Sequence, residues 1–245
     1  MTSIENYKNG GVLNSHSNNK LNVDDEMHQV PLFPKANSIL FNTGNIVSAE
    51  RLKRRSASNP EEEILDALNN TLQRWIGNDE LRSQAHELKS IKCRHPDYYE
   101  LVTPEERGDI SISVKLFLNT FDTEILERAI ATIMEEIGTT QIDTLILSLP
   151  DKLFSHDDLP RDLMSPLWQV VQRSIQSERV LSAGLSDFNA KYLEQLCDSI
   201  DDKKYLPTLN QVNLTSCCKM PEDLVEYSKI NNLNLTTHID PRGSH

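Results

Sequence analysis

Between Ile110 and His238, five apolar, strand-like runs alternate with four segments of helical periodicity, and the connections are short. Ile110–Leu118 (ISISVKLFL), Ile142–Leu149 (IDTLILSL), Val180–Leu185, Leu209–Leu214 and Leu233–His238 read as strands. Thr123–Ile137, Ser165–Glu178, Ala190–Ile200 and Pro221–Ile230 read as helices, with Gly138 ending the first and Ser165-Pro166 starting the second. Antiparallel neighbours can be joined by a tight turn, whereas parallel neighbours need a crossover the length of a helix. Strict alternation therefore predicts an α/β protein with a parallel sheet covered by helices.

Upstream the rhythm is less regular. Ser38–Phe41 is a short apolar run ended by Asn42-Thr43-Gly44-Asn45, and reads as a first strand. A helix starts at Asn59-Pro60-Glu61-Glu62-Glu63, with an N-cap candidate, Pro at the first position and acids in the first turn. Ile64, Leu65, Leu68, Leu72, Trp75 and Ile76 continue it at helical spacing until Gly77 and Asn78. A further helix is expected around Glu80–Lys89, but residues 78–109 are polar and broken by Pro96 and Pro104, and no second strand can be placed there. Six clear strands and one doubtful one fit a TIM-type (β/α)8 barrel, with an open parallel sheet as the alternative, since periodicity cannot close a barrel. Residues 1–36, rich in Asn, Ser, Lys and Asp, are expected to form a disordered tail, and residues 37–245 the barrel domain.

Charge narrows the partners. The chain of 245 residues carries 37 acidic against 25 basic side chains, a net charge of −12, so phosphate backbones and anionic membranes are repelled. The basic knot Arg51, Lys53, Arg54 and Arg55 is either a solvated turn or a phosphate or localisation site. The N-terminal residues lack the apolar run of a signal peptide, and no stretch approaches the ~18 apolar residues of a membrane helix. A cytoplasmic protein is expected, with no nucleic-acid or membrane partner. Four cysteines in a chain of this length suggest no disulfide framework. Dinucleotide and phosphate-loop glycine motifs, the G-x-S-x-G elbow, H-E-x-x-H and paired C-x-x-C are all missing, and seven scattered histidines offer no ligand spacing for a metal.

Four stretches, in one order, carry a family resemblance. ISISVKLF, IDTLILSLP, Trp168 with QSERVLSAGLSDF, and Asn210-Gln211-Val212-Asn213 are similar to the strand-end motifs of aldo-keto reductases. NTGNIVSAERLKRR, EEEILDALNNTLQRW, NQVNLTSCCKMPEDL and LTTHIDP resemble one branch, the glutamate–cysteine ligase regulatory (modifier) subunits. The resemblance runs from about residue 39 to residue 241. It implies an aldo-keto-reductase-type barrel and a regulatory role without cofactor: binding the ligase catalytic subunit as a heterodimer and enhancing γ-glutamylcysteine synthesis, the first step of glutathione biosynthesis. It also implies that a last strand and helix of the barrel are missing from this chain.

The same resemblance implies lost chemistry. Aldo-keto reductases use Asp, Tyr, Lys and His beside a nicotinamide cofactor, with Tyr donating a proton to the carbonyl oxygen. Lys115 matches the Lys, but the His position falls on Ser148, and the Asp/Tyr stretch is not recognisable; Tyr98 and Tyr99 lie in its interval without its flanking pattern. Lys115 and Ser148 are thus vestigial, and Lys115 is expected to pair structurally with a carboxylate such as Asp143 or Asp187. Ser186, Asp187 and Gln211 match residues that grip the carboxamide, but Asp187 stands where the family has Asn and can accept hydrogen bonds without donating them. Their alternative role is strand-end packing. Cys217 and Cys218 are either packed thiols or a redox-sensitive or intersubunit pair beside Lys219. Two rival readings stay open: an NADP-dependent aldo-keto reductase with displaced catalytic groups, and a partner-binding scaffold unrelated to glutathione.

Overall fold

The computed structural model describes residues 33–44, 60–214 and 219–239, which fall into two compact units. The expected tail, apart from residues 33–36, lies outside the described residues, as do the basic knot, Cys217 and Cys218.

The first unit holds β1 (Ser38–Asn42), most of α1 (Pro60–Ile76), α2 (Asp79–Ala85) and β2 (Ser90–Arg94). β1 and β2 pair in parallel, Ser38 opposite Ser90 through Asn42 opposite Arg94. β2 is the strand that the sequence did not reveal. Its Ile91 and Cys93 are buried against Trp75 and Ala85; SIKCR does alternate, but with two apolar positions in five residues the signal is too short to stand out from its polar surroundings. α2 stops at Ala85, short of the expected Lys89. Gly44 closes the turn after β1 at φ +60°, and a Cβ there would lie 2.0 Å from the Tyr98 carbonyl oxygen, so only glycine fits.

The second unit contains α3 (Pro104–Arg107), β3 (Ser113–Phe117), α4 (Thr123–Ile137), β4 (Ile142–Ser148), α5 (Arg161–Gln176), β5 (Val180–Ser186), α6 (Ala190–Asp198), β6 (Leu209–Asn213), α7 (Glu222–Asn231) and β7 (Asn234–His238). All five strands are parallel, in the order β3-β4-β5-β6-β7. Each strand therefore pairs with its predecessor in the chain, and no switch point reverses the winding. A doubly wound open sheet requires such a reversal. This singly wound order is that of a (β/α) barrel wall.

Leu145, Leu147, Ala183, Leu185 and Val212 pack with helix residues Leu126, Ile130, Leu167, Trp168, Val171 and Leu193 in one buried cluster. The alternate positions carry Lys115 and Phe117 of β3, Thr144, Ile146 and Ser148 of β4, Ser182 and Ser186 of β5, and Leu209 and Gln211 of β6, so the opposite face mixes polar and apolar side chains.

The helix ends have local causes. The Asp122 carboxylate accepts from the Glu124 and Ile125 amides at 2.8 and 3.0 Å, starting α4, and Gly138 ends it at φ +79°. Asn189 caps α6 by accepting from the Tyr192 amide at 2.7 Å. α5 begins at Arg161, four residues before the expected Ser165, so Pro166 lies inside the helix rather than at its start. No helix among the described residues is long and apolar enough to cross a membrane.

Candidate functional site

The C-terminal ends of parallel strands are where a singly wound barrel presents its functional groups. β5 ends at Ser186, and the next residue, Asp187, takes φ +64°, a left-handed conformation that Asp tolerates better than most residues. That turn aims the Asp187 carboxylate across β6 toward β7. Oδ1 accepts from the Asn213 amide at 2.8 Å, and Oδ2 accepts from the Ser186 hydroxyl at 3.0 Å. His238, the last residue of β7, brings its Nε2 to 3.0 Å from Oδ2 and 3.2 Å from Oδ1. The Asp187 amide in turn donates to the Gln211 carbonyl at 2.8 Å. One carboxylate thus ties together the ends of β5, β6 and β7.

Ser186, His238 and Asp187 do not make a nucleophilic triad. A triad needs one imidazole nitrogen toward the carboxylate and the other toward the hydroxyl. Here the same Nε2 faces both, lying 3.3 Å from Ser186 Oγ. The serine is 1% exposed and gives its proton to Asp187.

The sequence-derived residues divide into two groups. Ser186, Asp187 and Gln211 come together, with Ser186 opposite Gln211 in register. Lys115 lies on β3 opposite Ile146, its Nζ 5.1 Å from the centre of the Phe117 ring, and Ser148 ends β4, 3% exposed. The carboxylates offered as partners for Lys115 are engaged elsewhere. Asp143 pairs with Arg107 at 2.9 Å and accepts from the Ile112 amide at 2.7 Å, and Asp187 belongs to His238. Tyr98 stacks on His95 at 4.4 Å and Arg94 sits over Tyr99 at 4.7 Å, both within the first unit.

His238, Asn210 and Asn213 are the residues that sequence reasoning missed as parts of this site. Asn210 is fully buried and clamps the turn after β5, donating to the Phe188 carbonyl at 2.8 Å and accepting from its amide at 3.3 Å. Its place in the Asn-Gln-Val-Asn motif was a signal; nothing in the sequence joined His238 to Asp187.

A nicotinamide carboxamide presents one carbonyl acceptor and one NH2 donor, and two of the three strand-end side chains do not fit it. Ser186 spends its proton on Asp187, and Asp187 has none to give. Gln211 keeps a buried Oε1 without a hydrogen-bond partner and carries an amide NH2 beside it, so it alone of the three can both accept from and donate to the carboxamide. Among the described residues, no group of His, Cys, Asp and Glu is placed to hold a metal.

No family model matches the chain. It is 31% identical over 215 residues to the glutamate–cysteine ligase regulatory subunit of Bos taurus, covering 86% of this chain and 76% of that protein. The chain belongs to the glutamate–cysteine ligase regulatory subunit family. The Homo sapiens regulatory subunit is 30% identical over 214 residues, with the same coverage. A solved aldo-keto reductase from a deep-sea metagenome library superposes with a TM-score of 0.43 at 21% identity, over 54% of this chain and 44% of that one. Membership of the regulatory-subunit family agrees with the branch that NQVNLTSCCKMPEDL and LTTHIDP resemble.

Proposed function

We propose that this chain is a non-catalytic regulatory subunit that binds the glutamate–cysteine ligase catalytic subunit as a heterodimer and enhances γ-glutamylcysteine synthesis. The observation that carries the reading is the similarity to regulatory subunits across 76% of the bovine protein. The site supports it. Ser148 stands where the reductases have His, and removing one group of this electrostatic kind costs roughly 10²–10³ in rate. Ser186 and Asp187 satisfy each other and His238 rather than facing a substrate.

The test is co-expression with the ligase catalytic subunit, followed by affinity capture and measurement of γ-glutamylcysteine formation. Capture of the catalytic subunit with an increase in its catalytic efficiency is expected. Unchanged ligase kinetics, together with NADPH-dependent turnover of aldehydes lost on Lys115→Met, would establish the reductase reading instead. Docking is assigned to the barrel domain, residues 37–245, so removing residues 1–36 leaves affinity within a few-fold. Cys217 and Cys218 are proposed as contact or redox-sensitive thiols, and normal partner binding by a double Ser variant refutes that role.

A further inference from the structure

The His238–Asp187 pair does more than fill a vacated corner. Three strands that are consecutive in the sheet end on one carboxylate: Ser186 from β5, the Asn213 amide from β6 and His238 from β7. The imidazole side chain is only 8% exposed, and the residue that carries the carboxylate holds a left-handed backbone to reach it. A strained residue whose side chain accepts from three different strand ends is over-determined by its surroundings, which is the condition for such strain to persist.

We infer that Asp187 and His238 form a permanent clasp across the ends of β5, β6 and β7, which ties these strands without a ligand and leaves a nicotinamide carboxamide no side-chain grip there beyond Gln211, too little to hold the cofactor. For a carboxamide to bind between Ser186 and Gln211, its carbonyl oxygen needs a donor. The clasp has committed the protons of Ser186 and His238 Nε2 to Asp187, and the Asn213 and Asp187 amides are also taken, so of Ser186, Asp187 and Gln211 only Gln211, through its NH2, still offers a donor. Opening it leaves a half-buried carboxylate short of donors, which is more costly than leaving a neutral group so. The network also fixes His238 with its proton on Nε2, because that nitrogen must donate to the carboxylate. This inference deepens the non-catalytic reading, but its readouts do not involve the ligase, so the two can fail separately.

The experiment uses the full chain and three variants, Asp187→Asn, His238→Gln and the double substitution. Unfolding in urea gives a double-mutant cycle, and the clasp predicts a coupling of roughly tenfold in the unfolding equilibrium constant. Nitrogen-detected NMR of the wild type should show a proton on His238 Nε2 that exchanges slowly. NADP+ titrated into the wild type, followed by calorimetry and by melting temperature, should give neither saturable heat nor a shift. Additive single substitutions, or a His238 Nε2 proton in fast exchange, would overturn the clasp. Saturable NADP+ binding to the wild type that raises its melting temperature would overturn the loss of the cofactor grip.

Discussion

Gly184 lies opposite Leu209 in the β5–β6 register with no room between them for a methyl group: a Cβ at Gly184 would stand 2.5 Å from the Leu209 carbonyl oxygen and 2.4 Å from its Cγ. The close approach sits two residues before Ser186, so it sets the spacing of the strands that carry the clasp. Gly184→Ala forces backbone movement rather than a change of rotamer. The expected cost is about 1–3 kcal/mol, the usual range for overpacking. Urea denaturation measures it, and because Ser186 and Gln211 are paired in the same ladder, the His238 NMR signal should move as well.

Trp168 predicts a loss of another kind. Its ring is 1% exposed on α5, and Nε1 donates to the Tyr205 carbonyl at 2.9 Å, fixing the turn that leads into β6. Trp168→Phe keeps an aromatic ring but leaves that carbonyl unpaired and a void behind it. A destabilisation of about 2–4 kcal/mol is expected from the two effects together. Trp168→Ala should be worse, and equal melting curves for the wild type and the Phe variant would refute the role of the hydrogen bond.

The alternation from Ile110 onward was legible because β3, β4 and β5 are rich in apolar residues and α4 and α6 carry local start or stop signals. Asp122, Gly138 and Asn189 do in the structure what such residues do in general. β2 was not legible, because SIKCR has only two buried positions and basic neighbours, and its burial comes from Trp75 and Ala85, which are near in space and not in sequence. The start of α5 was misread for a related reason. Ser165-Pro166 is a common start signal, but Met164 is fully buried and packing extends the helix through it despite the lost backbone donor. In the site, Ser186, Asp187 and Gln211 were found through adjacent strand ends. The partner of Asp187 is 51 positions away, and a lone His at the end of a polar strand carries no mark of which carboxylate it meets.

Arg107 and Asp143 hold the entry to the five-stranded sheet. The pair lies at 2.9 Å, Asp143 also accepts from the Ile112 amide just before β3, and Arg107 reaches the Gln141 and Ile110 carbonyls. About a quarter of each side chain is exposed, so solvent screens part of the attraction. Asp143→Ala is expected to cost about 1–2 kcal/mol, mostly through the unpaired Ile112 amide. The difference from wild type should shrink only slightly in 1 M salt, since salt screens the ion pair but not the amide hydrogen bond. Complete loss of the difference in high salt would show that the Arg107 charge alone matters.

Cys93 gives the pH-dependent prediction. It is fully buried on β2 beside Ile91 and Trp75, and burial pushes its thiol up to about 12. Only the thiolate is nucleophilic, so native Cys93 should resist alkylation at pH 8 while the unfolded chain reacts. The same shift makes stability depend on pH. The unfolded thiol loses its proton near its ordinary value of 9.0, while the folded one keeps it to about 12. Across that window the native state binds more protons than the unfolded state, so stability falls as pH rises. Below pH 9 the contribution is fully present, and above 12 the loss is complete. Cys93→Ala removes the titration and flattens this part of the curve, at the cost of a small cavity beside Ile91. The check is a series of urea denaturations between pH 8 and pH 11 on both proteins. If the two curves decline in parallel, or if native Cys93 is alkylated at pH 8 as fast as in urea, the thiol is not held protonated by burial and the assignment fails.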